Sequence, residues 1–311
     1  MKKFITKSLL FFLGLFILAL IPDIILTHKV KNSIFNDYPI WGKIKSGQMD
    51  NDLLILGSSR AWVQYSPRII DSILNTNSYN LGRDGKKLDI SILCADLYLK
   101  HNPKPKVILC DIYFMSMCNS DPYGREQFFP YLFDRDIWKA VHKNHQIRYV
   151  DRFIPMLKYY GHLKEYLSRI SLNDTTYKGY FGYIREWKCV SDEIPLKEIK
   201  EIPYYHDSTV LAMTDEWLQR CQKDSVKIVF VHSPMYYEAT NKIDDTAAMW
   251  AMYRNLANKY NITILDYSHD SICYDTTLFY NAQHLNRKGA ERFSLKLAMD
   301  LDTMGIIEKP F

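Results

Sequence analysis

From residue 50 onward, short apolar runs alternate with stretches whose apolar residues recur at helical spacing. The runs are 53–57 (LLILG), 79–82 (YNLG), 106–110 (KVILC), 226–231 (VKIVFV) and 262–266 (ITILD). Runs this short and continuous predict strands covered on both faces, and the helical stretches between them predict parallel crossovers. Ser66-Pro67 offers an N-cap and a first-turn proline to RIIDSIL, and 89–100, 209–222, 244–259 and 287–304 complete the helices. The alternation predicts the α/β class, three layers (α/β/α) around a five-stranded parallel sheet.

Two stretches depart from it. Residues 112–208 separate the third strand from the next helix by far more than a crossover needs, and read as an insertion. Eleven of the 23 tyrosines lie between 119 and 205, together with Trp138 and Trp187. Either these aromatics pack a small helical subdomain, using segments such as 150–168, or some of them line a cleft for a sugar chain. A tyrosine suits the second use because it has a flat apolar face and a polar tip. At the other end, residues 8–26 (SLLFFLGLFILALIPDIIL) form an apolar run of spanning length preceded by Lys2, Lys3 and Lys7. Bulky residues follow the run where a cleavage site would need small ones, so an uncleaved signal anchor is expected. The expected plan is a transmembrane helix over 1–27, a juxtamembrane linker over 28–49, and a flavodoxin-like domain over 50–311. Basic residues before the run place the domain in the periplasm or outside the cell, on a single-pass membrane protein.

Composition removes several classes of function. A hydrophobic share of 47% with 24% charged residues is that of a folded domain, not of a disordered or collagen-like chain. Only 12 glycines occur, with no G-x-G-x-x-G and no G-x-x-x-x-G-K-[ST], which argues against a phosphate-cradling loop. The six cysteines show no C-x-x-C and no clustering with histidine, so neither a metal site nor another cofactor is expected. They read as small buried apolar residues, with a disulfide open to one pair. Without Lys2, Lys3, Lys7 and Asp23, 37 basic and 34 acidic residues remain, a net +3 with no basic stripe for nucleic acid.

Two segments carry candidate chemistry. The first strand ends in Gly57-Ser58-Ser59-Arg60, and ligands of open parallel sheets bind beyond the carboxyl ends of strands. A serine there is placed for attack, although serines also cap turns. After the last strand, 279–290 reads FYNAQHLNRKGA and runs into the final helix, with His284 three residues after Asn281. On a tight loop that spacing lets the amide hold one imidazole nitrogen while the other faces a serine.

With these segments the chain resembles the SGNH (GDSL-like) hydrolase superfamily, in its membrane-anchored bacterial branch, whose first block reads G-S-S. The resemblance covers 50–111 and 226–304 and leaves the insertion outside. It implies that Ser59 is the nucleophile and His284 the histidine of a D-x-x-H block, whose trailing H-L-N-x-x-G-A recurs at 284–290. Residues 80–85 (NLGRDG) match the second block, which implies that Gly85 and Ser59 offer backbone N–H groups to an oxyanion. Two departures stand out. Asn281 occupies the acidic position, leaving Asp275 as a substitute acid, and the third block, G-x-N-D, is missing. Asp111 follows that strand instead, with Asn119 a distant candidate for the lost donor. Ser58, Arg60, Asp111 and Asp275 are expected around the pocket, and 232–235 (HSPM) either lines it or forms a bend.

The resemblance implies a serine esterase or O-acyltransferase that forms an acyl-enzyme on acyl esters of a cell-envelope glycan or exopolysaccharide, with a multi-spanning acyltransferase as partner. The rival is a binding or assembly protein of the same system whose catalysis is impaired, which Asn281 and the missing block favour.

Overall fold

The apolar runs become five parallel strands, β1 (Leu53–Leu56), β2 (Ser78–Asn80), β3 (Val107–Asp111), β4 (Lys227–His232) and β5 (Thr263–Asp266). They form one sheet in the order β2-β1-β3-β4-β5. The computed structural model describes residues 1–33, 38–119, 125–142, 147–170, 176–187 and 201–307. Two units are distinguished, Gly47–Ser120 with Thr175–Phe311, and Met1–Ser46 with Asp121–Asp174.

The first unit holds the sheet. Every residue of β1, β2 and β3 is buried, as strands covered on both faces must be. The crossovers are the expected helices: α3 (Ser59–Gln64) and α4 (Pro67–Leu74) after β1, α5 (Leu88–His101) after β2, α9 (Ser208–Lys223) before β4, and α11 (Thr246–Tyr260) before β5. A single turn, α10 (Tyr237–Thr240), follows β4, and α12 (Arg287–Thr303) closes the chain. Local chemistry starts them. Asp207 accepts the N–H groups of Thr209 and Val210, and Asn286 accepts that of Gly289. Helix α12 packs on α4 and α3, while α9 packs on α5 and α11. Right-handed crossovers put these two groups on opposite faces, giving the three-layer α/β/α architecture. The sheet order reverses between β1 and β3, and a crevice opens at such a switch point.

The second unit joins the N-terminus to the middle of the long insertion. Helix α1 (Lys2–Lys31) contains a stretch with mean hydropathy 2.7, long and apolar enough to cross a membrane. Helices α2 (Pro39–Lys45), α6 (Arg135–Val141), α7 (Tyr149–Phe153) and α8 (Leu163–Ile170) accompany it. Tyr38, Trp41, Phe128, Tyr159 and Tyr166 form its buried aromatic core. The anticipated helical segment 150–168 is broken in three, α7, a 3₁₀ turn at Leu157–Tyr159, and α8. Pro155, left-handed Met156 (φ 64°) and Gly161 (φ 83°) interrupt it. The boundaries of this unit cut across those anticipated from sequence. Part of the linker is α2, and the insertion is shared between the units, with 176–187 belonging to the sheet unit.

Cys94, Cys110, Cys118, Cys221 and Cys273 are buried and free, and Cys189 lies outside the described residues.

Candidate active site

The turn after β1 separates the two serines by role. Gly57 has φ 149°, and a Cβ there would lie 2.8 Å from Ala61 Cβ and 2.9 Å from Asp111 Cβ, so only glycine lets the chain turn this tightly against β3. Ser58 then caps α3, its Oγ accepting the Arg60 N–H at 3.3 Å. Ser59 is the first residue of α3, and its N–H therefore lacks an intrahelical acceptor. Its side chain turns away from the cap, with Oγ 2.7 Å from His284 Nε2.

His284 begins β7 (His284–Leu285), which pairs antiparallel with β6 (Phe279–Asn281) across a tight loop. At the loop's start, Asn281 Oδ1 lies 2.8 Å from His284 Nδ1 and accepts the N–H groups of Gln283 and His284, each at 3.0 Å. Those two backbone donors fix the amide with its oxygen toward the imidazole. An oxygen there requires the proton on Nδ1, which leaves the Nε2 lone pair facing the Ser59 hydroxyl. Burial, reinforced by the Arg60 cation, pushes the His284 pKa down to about 3. The imidazole is thus neutral at physiological pH and able to accept a proton, but as a weak base.

Beneath Ser59 lies a buried polar network. Arg60 is fully buried, its Nε 3.5 Å from Asp111 Oδ2. Its Nη2 donates to the Ser233 carbonyl at 2.5 Å and to Ser233 Oγ at 2.9 Å. Asp111 Oδ1 accepts from Tyr65 Oη at 2.6 Å and from Ser233 Oγ at 2.5 Å, and Gln64 Nε2 donates to Ser233 Oγ at 2.8 Å. Burial raises the Asp111 pKa, opposed first by the Arg60 charge. Arg60 and Asp111 are therefore not lining residues, as anticipated, but the floor on which the serine turn rests. His232 and Ser233 are buried as well, His232 against Trp250 with ring centroids 5.3 Å apart. Burial, then the Arg60 charge, lowers the His232 pKa to about 3.

Among the other anticipated residues, Asp275 accepts the N–H and hydroxyl of Thr277 at 3.0 and 2.6 Å, while the His284 Nδ1 position is held by Asn281. Gly85 sits in the loop after β2 with φ 65°. Asn119 is exposed, its carbonyl accepting from Lys87 Nζ at 2.9 Å.

Of the insertion's aromatics, some of which were expected either to pack a subdomain or to line a cleft, those of segment 176–187 lie beside the serine and histidine. Lys178 Nζ binds Asp71 Oδ2 at 2.6 Å, and the Lys178 carbonyl accepts the Asn80 N–H at 2.9 Å, pinning the segment to the β2 edge. It then accepts from Arg287, whose N–H meets the Tyr183 carbonyl at 2.8 Å. Its rings continue toward His284. Phe181 stacks on Trp62 at 5.1 Å, Tyr183 meets Tyr280 at 5.1 Å, and Tyr280 lies parallel to the His284 ring at 5.3 Å. Arg185 covers the Tyr183 ring at 4.5 Å, and Trp187 packs on Tyr236 at 4.8 Å. The sequence signal for this rim was the clustering of tyrosines, with Trp187, in the insertion.

Neither protein-family models nor curated protein sequences match this chain. Among solved structures, it is similar to a provisionally named platelet activating factor from Streptococcus pneumonia, at 12% identity over 84% of this chain and 90% of that one, TM-score 0.42. It is also similar to a provisionally named lipolytic protein of the G-D-S-L family from Desulfitobacterium hafniense, at 11% identity over 80% and 99%, TM-score 0.40. A possible lipase from Chitinophaga pinensis matches at 12% identity over 83% and 100%, TM-score 0.38.

Proposed function

We propose that this chain is a membrane-anchored, extracytoplasmic serine esterase or O-acyltransferase acting on acyl esters of a cell-envelope glycan. The observation that carries the reading is the relay Ser59 Oγ, His284 Nε2, His284 Nδ1, Asn281 Oδ1, with successive contacts of 2.7 and 2.8 Å. In this reading Ser59 Oγ attacks the acyl carbonyl as its proton passes to Nε2, and the Ser59 and Gly85 N–H groups bind the oxyanion. The C–O bond to the leaving alcohol breaks, Nε2 returns the proton to that oxygen, and the acyl group remains on Ser59. Water or a sugar hydroxyl then attacks the acyl-enzyme, giving hydrolysis or transfer. A multi-spanning membrane acyltransferase is the class of partner that would supply the acyl group across the bilayer.

A fluorophosphonate probe tests the reading, because it reacts only with an activated serine. Wild type is expected to label and Ser59→Ala not to. Absence of label on wild type, or equal label on both, overturns it. That outcome favours the second reading, an assembly protein with impaired catalysis, which the amide of Asn281 in place of a carboxylate supports.

A further inference from the structure

We propose that the unit built from Met1–Ser46 and Asp121–Asp174 rests on the bilayer, with an apolar ridge of Phe133, Phe153, Ile154 and Tyr160 entering the lipid headgroup region beside α1. The inference rests on reading α1 as a membrane span. It begins with Asp23, near the end of the apolar run that closes at Leu26. Asp23 Oδ2 accepts the Met156 N–H at 2.7 Å, and Oδ1 meets Lys158 Nζ at 2.8 Å in a buried ion pair. One turn further along α1, Thr27 Oγ1 and Tyr159 Oη share a 2.6 Å hydrogen bond. Residues 156–159 are thereby clamped to the turn of α1 where the apolar run ends, at the level of a bilayer boundary.

The residues flanking this clamp are apolar and uncovered. Tyr160 is 84% exposed, Phe153 58% and Ile154 49%. Phe153 and Ile154, three and two positions before Met156, lie within about 11 Å of it, and Tyr160 directly follows clamped Tyr159. Phe133, 63% exposed, has its ring 6.1 Å from that of Phe153. The unit's own core is already filled by buried Tyr38, Trp41, Phe128, Tyr159 and Tyr166, so the ridge is surplus to folding. Aromatic side chains flanked by cations are the composition that settles at a membrane interface. The Arg152 guanidinium lies 5.3 and 5.6 Å from the Phe133 and Phe153 ring centroids.

An adjoining cleft of about 480 Å³ runs along α1, with Leu20, Ile24 and Phe133 in its apolar lining, His28, Lys31 and Lys158 in its basic lining, and Asp23 and Asp134 as acidic members, Asp23 being paired with Lys158. Apolar to basic along α1 is also the order from acyl chain to phosphate in a phospholipid. A bilayer is therefore the occupant that the exposed ridge and the anchor share.

The test uses the full chain carrying Cys189→Ser, so that the only remaining native cysteines are the five buried ones, reconstituted into phosphatidylcholine–phosphatidylglycerol vesicles. An environment-sensitive NBD dye is attached at Phe153→Cys, Tyr160→Cys or, within the span, Leu13→Cys. Lipids with a nitroxide near the headgroup are expected to quench the dye at 153 and 160 at least twofold, more than lipids with a deep nitroxide, and the dye at 13 the reverse. Quenching at 13 with unquenched aqueous emission at 153 and 160 overturns the proposal alone. A blue shift at 153 and 160 without quenching also overturns it, and indicates a second copy of the chain on the ridge. Lack of quenching at all three positions overturns the anchor reading and the proposal with it.

Discussion

His284 Nδ1 lies 2.8 Å from Asn281 Oδ1, an oxygen that two backbone N–H groups of the same loop also hold in place. The amide thus sets the tautomer and the ring position as a carboxylate would. It would supply no negative charge to the imidazolium that the proposed attack by Ser59 would form. Orientation and charge stabilisation, which a triad carboxylate combines, are separated in this site.

Restoring the charge has a defined consequence. Asn281→Asp places an anion beside Nδ1 and raises the His284 pKa; each unit recovered is about 1.4 kcal/mol of imidazolium stabilisation, of which a general-base transition state realises a part. The second-order rate of fluorophosphonate labelling at neutral pH is expected to rise about threefold or more. An unchanged or slower rate counts against His284 as the base. Asn281→Ala, which frees the ring, is expected to slow labelling.

The pH dependence follows from the same residue. A base whose pKa is lowered to about 3 is already deprotonated at every pH above that value. Labelling of the wild type should then stay level from neutral pH down to about 5, with no inflection near the ordinary histidine value of about 6.5. Stability runs the other way. In the unfolded chain His232 and His284 take up protons below about 6.5, whereas in the fold both have values lowered to about 3. The unfolded state therefore binds more protons across that window, and stability falls as pH falls from about 6.5 toward about 3. Melting temperatures over this range, with His232→Asn expected to give a shallower slope, check the sign.

The floor of the site is predicted to tolerate paired loss better than single loss. Arg60 and Asp111 are both buried, so removing either leaves an uncompensated charge, at a cost of about 3–5 kcal/mol. Asp111→Leu or Arg60→Met should each lower the urea midpoint strongly, and the double variant should regain a large part of the loss. A double variant as unstable as the sum of the singles would show that the pair is not the coupled element.

How far each part could be read from the sequence depends on distance along the chain. The strands β1 and β3 were legible because they are buried throughout and appear as apolar runs, whereas β2 is the short polar stretch Ser78–Asn80, buried all the same and overlapping only the start of the run at 79–82. The contact between Asn281 and His284 was legible because it closes within one loop, where spacing alone limits the geometry. The Arg60 network was not. Asp111 reaches Ser233 because β3 pairs with β4 in the register Asp111↔Val231, and register is a tertiary property. Segment 176–187 was illegible for another reason. It has no helical or strand period, and backbone hydrogen bonds to Asn80 and Arg287, about a hundred residues away on either side, hold it in place. The sharing of the insertion between the two units was hidden in the same way, because α1 meets residues 156–159 more than a hundred positions later.

Segment 176–187 bears on what would resolve the acyl-enzyme of the proposed reaction. Tyr183 and Trp187 belong to the aromatic rim, and Arg185 lies over the Tyr183 ring at 4.5 Å. Flat rings beside a guanidinium suit a sugar, whose C–H face stacks and whose hydroxyls accept hydrogen bonds. In the proposed reaction a small ester such as p-nitrophenyl acetate would need only Ser59 and His284, whereas a glycan acceptor or acylated glycan would also need the rim. Tyr183→Ala and Trp187→Ala should therefore leave turnover of the small ester nearly unchanged. They should lower kcat/KM for an acylated oligosaccharide by about tenfold, the equivalent of one aromatic contact of about 1–1.5 kcal/mol. Tyr280 serves as the contrast, because its ring lies parallel to His284 at 5.3 Å. Tyr280→Ala should reduce both activities by loosening the base. Equal losses on the small ester and the oligosaccharide for all three variants would assign the rim to holding the fold, and would remove the argument for a glycan substrate.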